Sequence, residues 1–359
     1  MAGLSAENQL RDVYNMRVVG NLAKRIKGVY AEFDGPGFCR GIEAELDALG
    51  FGERSRLIRD ALTAHLPVDF TRSAQILMDS LEPELAVHPE ETPWDGFIVV
   101  LETEFVDEAG INHFGLAMDV LKEMTKRFSS EGAIRTFIEK YQEESLALFK
   151  VRAVDPNVHV RRLVSEGTRC RLPLAAPLRS FKKDPTPVLQ LLELLKDDAE
   201  LYVRRLVANN LNDISKDNAK MVVSTLTKWS QNSSEEMEWL IRHALRTLLK
   251  QGNVGALGLL SYELPGVSAP ALHLGNERVP KEGDLNFQFN FVSEKAQKLM
   301  IDYRIHFMKS NGKQAREIVE IPRKQSFKTI STRKHYPGSH KIVIVVNGQA
   351  MAEADLECD

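Results

Sequence analysis

Apolar residues recur at helical spacing through most of this chain, and two stretches carry the same pattern 43 positions apart. Val160-Arg161-Arg162-Leu163-Val164 and Val203-Arg204-Arg205-Leu206-Val207 each follow an Asp-bearing turn and lead into a polar half-helix. A degenerate third copy, Leu240-Ile241-Arg242-His243-Ala244, begins 37 positions further on. A period near 40 with a helix start each time predicts helical repeats whose pairs of helices bury a core only by stacking. Counting by three and four from the second arginine of each copy places Arg162, Glu166 and Arg169 on one stripe. The same count gives Arg205, Asn209 and Asp213 in the second copy, and Arg242, Arg246 and Lys250 in the third. The opposite faces, such as Val160, Leu163 and Val164, are apolar and predict the packing side.

The periodicity predicts helices at 10–27, 37–49, 54–64, 71–81, 114–128, 131–142, 144–152, 159–170, 187–195, 201–212, 219–230 and 235–250. Asp155-Pro156-Asn157 and Ser233-Ser234-Glu235-Glu236 supply cap residues and early negative charge. After residue 265 the texture changes to period two, as in Leu285-Asn-Phe-Gln-Phe-Asn-Phe-Val292. Strands are expected at 285–292, 299–308, 315–321, 326–330 and 341–346, with tight turns at Asn311-Gly312 and Asn347-Gly348. The expected organisation is mainly α, a helical solenoid over 1–265, a proline-bearing linker over 266–283 and a small β-sandwich over 284–359.

With 359 residues, 43% of them hydrophobic, the chain can bury a large core. No apolar run is long enough for a membrane span and no targeting signal is visible, so a cytoplasmic protein is expected, and a monomer is the expected state. Cys39, Cys170 and Cys358 lack any paired spacing, and the histidines lack ligand spacing, so neither metal nor cofactor is expected. The formal charge of -3 hides strong segregation. Residues 1–110 hold 10 Lys/Arg against 20 Asp/Glu, residues 151–184 hold 8 against 3, and residues 270–341 hold 14 against 7. Two basic zones on an acidic chain fit a protein that meets a polyanion on one face, although solvated helix faces have the same composition.

The repeat segments Val160-Arg-Arg-Leu-Val-Ser-Glu-Gly-Thr-Arg169 and Tyr202-Val-Arg-Arg-Leu-Val-Ala-Asn-Asn-Leu-Asn-Asp-Ile-Ser-Lys-Asp217 resemble DNA alkylation repair proteins of the AlkC type. Those are HEAT-like-repeat DNA glycosylases of the AlkC/AlkD superfamily, and some carry an immunoglobulin-like domain similar to the C-terminal segment here. The resemblance implies hydrolysis of the N-glycosidic bond of bases made cationic by alkylation, 3-methyladenine and 3-methylcytosine among them, in double-stranded DNA and without flipping the base into a pocket. It carries the family's acidic positions to Glu131, Glu166 and Asp213. Leu174 stands where family members usually have Trp, and Gly132 where an aromatic is common.

A carboxylate beside the anomeric carbon would stabilise the oxocarbenium-like sugar as such a base leaves. Glu166 and Asp213 sit on stripes flanked by arginines suited to that work, with Glu131 expected at the edge of the site. The alternative is a helix-surface ion pair for each acid, worth about 0.5 kcal/mol. Candidate DNA contacts are Arg162, Arg169, Arg171, Arg205, Asn209, Arg242 and Arg246, together with Lys182 and Lys183 in a proline-rich loop and Arg333 and Lys334 in a loop of the β domain. Trp229 and Trp239 are expected in the core. The competing functions are a non-catalytic repeat protein that binds damaged or distorted DNA, and a scaffold for acidic peptides.

Overall fold

The computed structural model describes residues 10–86, 96–232, 234–293, 295–308, 314–320, 324–327 and 335–359. It divides into two compact units, Met1–Ile214 and Ser215–Asp359. The first unit is a helical solenoid: α1 Met16–Val29, α2 Gly35–Leu46, α3 Phe51–His65, α4 Phe70–Asp79, α5 Phe97–Ala109, α6 Phe114–Thr125, α7 Ile134–Lys140, α8 Gln142–Arg152, α9 Val158–Gly167, α10 Arg179–Lys183 and α11 Thr186–Leu195, ending in α12 Leu201–Ser215. The cap residues act as their chemistry dictates. Asn157 accepts from the backbone N–H of His159 to start α9, and Asn15 accepts from Arg17 and Val18 to start α1.

The repeat faces pack as the spacing predicts. Val160, Leu163 and Val164 on α9 and Val203 and Val207 on α12 are fully buried. Two helices of this unit lie outside the predicted set. Helix α5 (FIVVLETEFVDEA) is apolar on most sides and so carries no clean 3.6-residue stripe; it buries Ile98, Val99, Leu101, Phe105 and Val106 in the middle of the solenoid. Glu102 is buried there too, held by Arg25 of α1 at 2.6 Å. The short α10 occupies the proline-rich segment expected as a loop.

The second unit holds α13 Ala219–Trp229, α14 Glu235–Lys250 and α15 Val254–Leu259, followed by eight strands: β1 Val267–Leu274, β2 Arg278–Val279, β3 Asp284–Ser293, β4 Ile301–Met308, β5 Gln314–Glu320, β6 Lys324–Ser326, β7 Gly338–Val346 and β8 Gln349–Cys358. One sheet has the order β1-β3-β6 and the other β2-β8-β7-β4-β5. Tyr303, Ile305, Ile342, Ile344, Leu285 and Phe327 fill the space between them. The segment 266–283, expected as a linker, instead carries β1 and β2: β1 pairs antiparallel with β3 through Leu272↔Phe289 and Leu274↔Phe287. Pro270 lies at a bulged stretch of this edge strand, where a missing N–H leaves no central ladder bond unmade. The Asn311-Gly312 turn lies outside the described residues, whereas Asn347 and Gly348 close the β7–β8 hairpin with φ of 44° and 82°.

That turn is bolted to the helices of its own unit. Asn347 donates from Nδ2 to the carbonyl of Glu263 (2.8 Å) and accepts at Oδ1 from the N–H of Met300 (2.7 Å). Gly348 lies so close to Gly252, just beyond the end of α14, that a Cβ on Gly348 would fall 2.7 Å from Gly252 Cα. Gly348→Ala should therefore cost the protein about 2 kcal/mol or more in denaturant titration, through both positive φ and backbone collision. Gly20→Ala, in helix α1 with open space around its Cβ, should stabilise by up to about 1 kcal/mol, and equal effects from the two would refute this packing account.

Candidate active site

A cavity of about 1390 Å³ opens on the first unit, with Glu131, Arg162, Tyr202 and Arg205 on one side and Glu104 and Asp107 on another. Behind its first side runs a chain of alternating charges. Arg162 donates from Nη2 to Glu131 Oε2 (2.9 Å) and Glu166 Oε2 (2.7 Å), and from Nη1 to Ser129 Oγ (3.0 Å). Arg169 donates from Nη1 to Glu166 Oε1 (3.1 Å) and from Nε to Asp213 Oδ2 (2.7 Å). Three segments of the solenoid thus meet in one network: the turn before α7, helix α9 with its C-terminal end, and helix α12.

The acids differ in their access. Glu131 lines the cavity and its side chain is 29% exposed, held from below by a hydrogen bond from the Ser129 hydroxyl. Glu166 and Asp213 are buried and paired to arginines on their inner side. The carboxylate expected at the edge is therefore the one that faces the opening, and the two expected at the centre stand behind it. Burial pushes the Glu166 carboxyl upward against the pull of Arg162, and Arg169 opposes the rise as well. Burial alone would weaken the Arg162 cation, but Glu131 and Glu166 outweigh it and hold its pKa above the ordinary range. The guanidinium of Arg162 also lies over the Tyr202 ring, 5.3 Å from its centroid. Three carboxylates thus share the two guanidiniums of Arg162 and Arg169.

The other arginines divide by position in the repeat. Arg205 is exposed at the cavity, whereas Arg161 donates to both oxygens of Asp198 and to the carbonyls of Asp155 and Pro156. Arg204 repeats the last contact one copy later, on the carbonyls of Asp198 and Ala199. The first arginine of each copy therefore fastens a turn, and the second faces the site. Arg135, absent from the candidate set, clasps the segment after α9: it donates to the carbonyls of Gly167, Arg169 and Ala176, and burial draws its pKa down to about 10. Leu174, in the segment so held, is 82% exposed with φ of +62° and lines the cavity.

The remaining candidates are scattered. Arg171 and Asn209 are half-buried, and Lys182 and Lys183 stand on α10. Arg242 and Arg246 belong to α14 in the second unit. Arg333 and Lys334 lie outside the described residues, and the neighbouring His335 packs against Phe307 and Phe327. Trp229 is buried as expected of a core residue, but Trp239 is 36% exposed, which overturns its expected place in the core; it points away from the stripe of Leu240, Ala244 and Leu248 that α14 buries. Among the described residues no group of His, Cys, Asp or Glu is arranged to hold a metal, and no helix is long and apolar enough to cross a membrane.

A solenoid of paired helices with an arginine and carboxylate network on one face, followed by a two-sheet sandwich, defines a HEAT-like-repeat protein with an immunoglobulin-like domain. Residues 268–359 match the family model described as "Uncharacterised protein YhaZ, C-terminal Ig-like domain". The whole chain is similar to the uncharacterized protein YhaZ of Bacillus subtilis (strain 168), with 32% identity over 97% of this chain and 99% of that one. Its structure is similar to that of Pseudomonas fluorescens alkylpurine DNA glycosylase AlkC bound to DNA containing an abasic site analog, with a TM-score of 0.87 and 31% identity over 98% of this chain and 100% of that one. The chain belongs to the family of YhaZ and AlkC within the AlkC/AlkD superfamily.

The acidic side of the cavity makes a pH prediction. Burial pushes the Asp107 carboxyl up to about 6, the Thr136 hydroxyl opposes this by donating to Asp107 Oδ2, and Oδ1 is buried without a partner. An unfolded aspartate loses its proton near pH 4, so between about pH 4 and pH 6 the unfolded state binds fewer protons than the folded one. This residue's contribution is then most favourable below about pH 4 and is lost as the pH rises through about 6. Asp107→Asn should raise stability at about pH 7.5 and flatten that slope in denaturant titrations from about pH 4 to 8. A difference from the parent that is constant across the range would contradict it.

Proposed function

We propose that the protein is a DNA glycosylase that hydrolyses the N-glycosidic bond of cationic alkylated bases, 3-methyladenine and 3-methylcytosine among them, in duplex DNA. The observation that carries this reading is the Glu131–Arg162–Glu166–Arg169–Asp213 network, which fixes the Glu131 carboxylate at the cavity. An alkylated base already bears positive charge and departs with the electron pair of the C1′–N bond. The barrier lies in the sugar, which becomes an oxocarbenium-like cation. Glu131 stabilises that cation and takes the proton of the water that adds to C1′. Arg162 and Ser129 hold its carboxylate in one orientation, and Glu166 and Asp213 keep the guanidiniums from cancelling its charge. Arg205 at the cavity rim is suited to a phosphate. The similarity to AlkC, a glycosylase whose structure holds DNA with an abasic site analog, supports the same partner and reaction class.

Binding without excision is the reading favoured by one observation, the pairing of Glu166 and Asp213 with arginines. The two readings part in a single assay, base release from methylated duplex. Glu131→Gln should fold as the parent does and release 3-methyladenine at least about 100-fold more slowly. Asp213→Asn should lose both activity and stability, because it leaves Arg169 short of a buried partner, a loss on the order of 3 kcal/mol. Release by Glu131→Gln at the parental rate would remove Glu131 from the chemistry, and no release by the parent would leave the binding reading. Arg205→Ala should weaken duplex binding regardless of sequence and lower the slope of log affinity against log salt by about one unit, as measured by fluorescence anisotropy.

A further inference from the structure

Helix α14 carries a second aromatic and basic surface that the excision site does not use. Trp239, Arg242, His243, Arg246 and Lys250 fall at i, i+3, i+4, i+7 and i+11, one stripe of the helix. The opposite stripe of Met237, Leu240, Ile241, Ala244, Leu245 and Leu248 is buried in the unit's core. Trp239 keeps 36% of its surface open, while Trp229 on α13 keeps 7%. The indole is not loose: it lies flat on the His243 ring, with centroids 5.0 Å apart and planes within 8°. Arg242 and Lys250 are exposed, and Arg246 is half-buried, donating from Nη1 to the carbonyl of His243. A flat aromatic surface, already ordered and rimmed by cations, offers what an unstacked nucleotide requires: a face for the base and positive charge for its phosphate.

The charge is also directional. Glu235, Glu236 and Glu238 crowd the first turn, so their charges repel a phosphate from that end and leave Arg242 and the cations beyond it as its attractive side. In intact duplex the bases are stacked on one another and present no face to an indole. We propose that the α14 face is a binding site for an unpaired stretch of DNA strand, one base stacking on the Trp239–His243 pair and the phosphates on its C-terminal side lying along Arg242, Arg246 and Lys250. This rests on the reading of the protein as a DNA-binding enzyme and adds a contact to it. The partner class is set by the combination, since a duplex would use the cations and leave the indole idle.

The test uses the full-length protein and two probes, an oligothymidine strand and a fully paired duplex of equal length. Oligothymidine should quench the indole emission of the parent, and Trp239→Phe, which keeps an aromatic ring, should lose that quenching while binding the strand within about twofold of the parent. Trp239→Ala should bind the strand at least about fivefold more weakly and the duplex about equally well. Arg242→Ala should lower the salt slope for the strand by about one unit. Equal quenching in the parent and Trp239→Phe, or strand binding by Trp239→Ala equal to the parent's, overturns the proposal. If base release from methylated duplex persists in that case, the α14 site fails alone. If the parent neither binds either probe nor releases bases, the glycosylase reading fails with it.

Discussion

Two arginines shared among carboxylates set the character of this protein's cavity. Arg162, largely shielded, and the buried Arg169 lie between three carboxylates drawn from the turn before α7, from α9 and from α12, which compensate the loss of water around the two cations. The dependence runs in both directions. Each acid that helps hold an arginine also has part of its charge consumed by it, so what reaches the cavity is the remainder, concentrated at Glu131. A site built from isolated carboxylates would be stronger in field and weaker in geometry. Stacking the repeats in register is what brings the five groups together, and this ties the packing of Val160, Val164, Val203 and Val207 to the electrostatics on the opposite face.

The double arginine of each repeat has two separate tasks. Arg161 and Arg204 bind the carbonyls of the turn that precedes their own helix, and Arg161 reaches across to Asp198 of the next copy. Such contacts fix how one helix pair is set against the next. Arg162 and Arg205, one residue on and about 100° round the helix, face the site. Position in the repeat, rather than residue type, decides which arginine is structural and which is available for chemistry.

Much of this was legible in the sequence because it rests on periodicity. The apolar stripes of α9, α12 and α14, the caps at Asn157 and Ser234, and the alternation in β3 all follow from local spacing, and Glu166 and Asp213 emerge by counting turns, whereas Glu131 comes only from the resemblance to AlkC-type proteins. What the sequence hid depends on third parties. Helix α5 is apolar on most faces, so no stripe distinguishes it. Pro270 reads as part of a linker because the edge position that tolerates it is set by the sheet. Arg135 gives no local sign that its partners are carbonyls more than 30 residues away. The relative access of Glu131, Glu166 and Asp213 is likewise decided by the surrounding helices, not by the spacing within any one segment. Trp239 looks like any other tryptophan in an amphipathic segment until the buried stripe of α14 is known.

The junction of the Asn347-Gly348 turn with Gly252 and Glu263 has a consequence for how such chains can be recombined. Composition changes near residue 265, yet the sandwich grips the helices that precede this point through its own hairpin turn. Helices α13 to α15 and the eight strands form one heritable module. A chimera that exchanges only the strands would have to find a partner with glycine at both contact positions and a carbonyl within reach of the asparagine. An exchange of residues 215–359 as a block carries the matched surfaces with it.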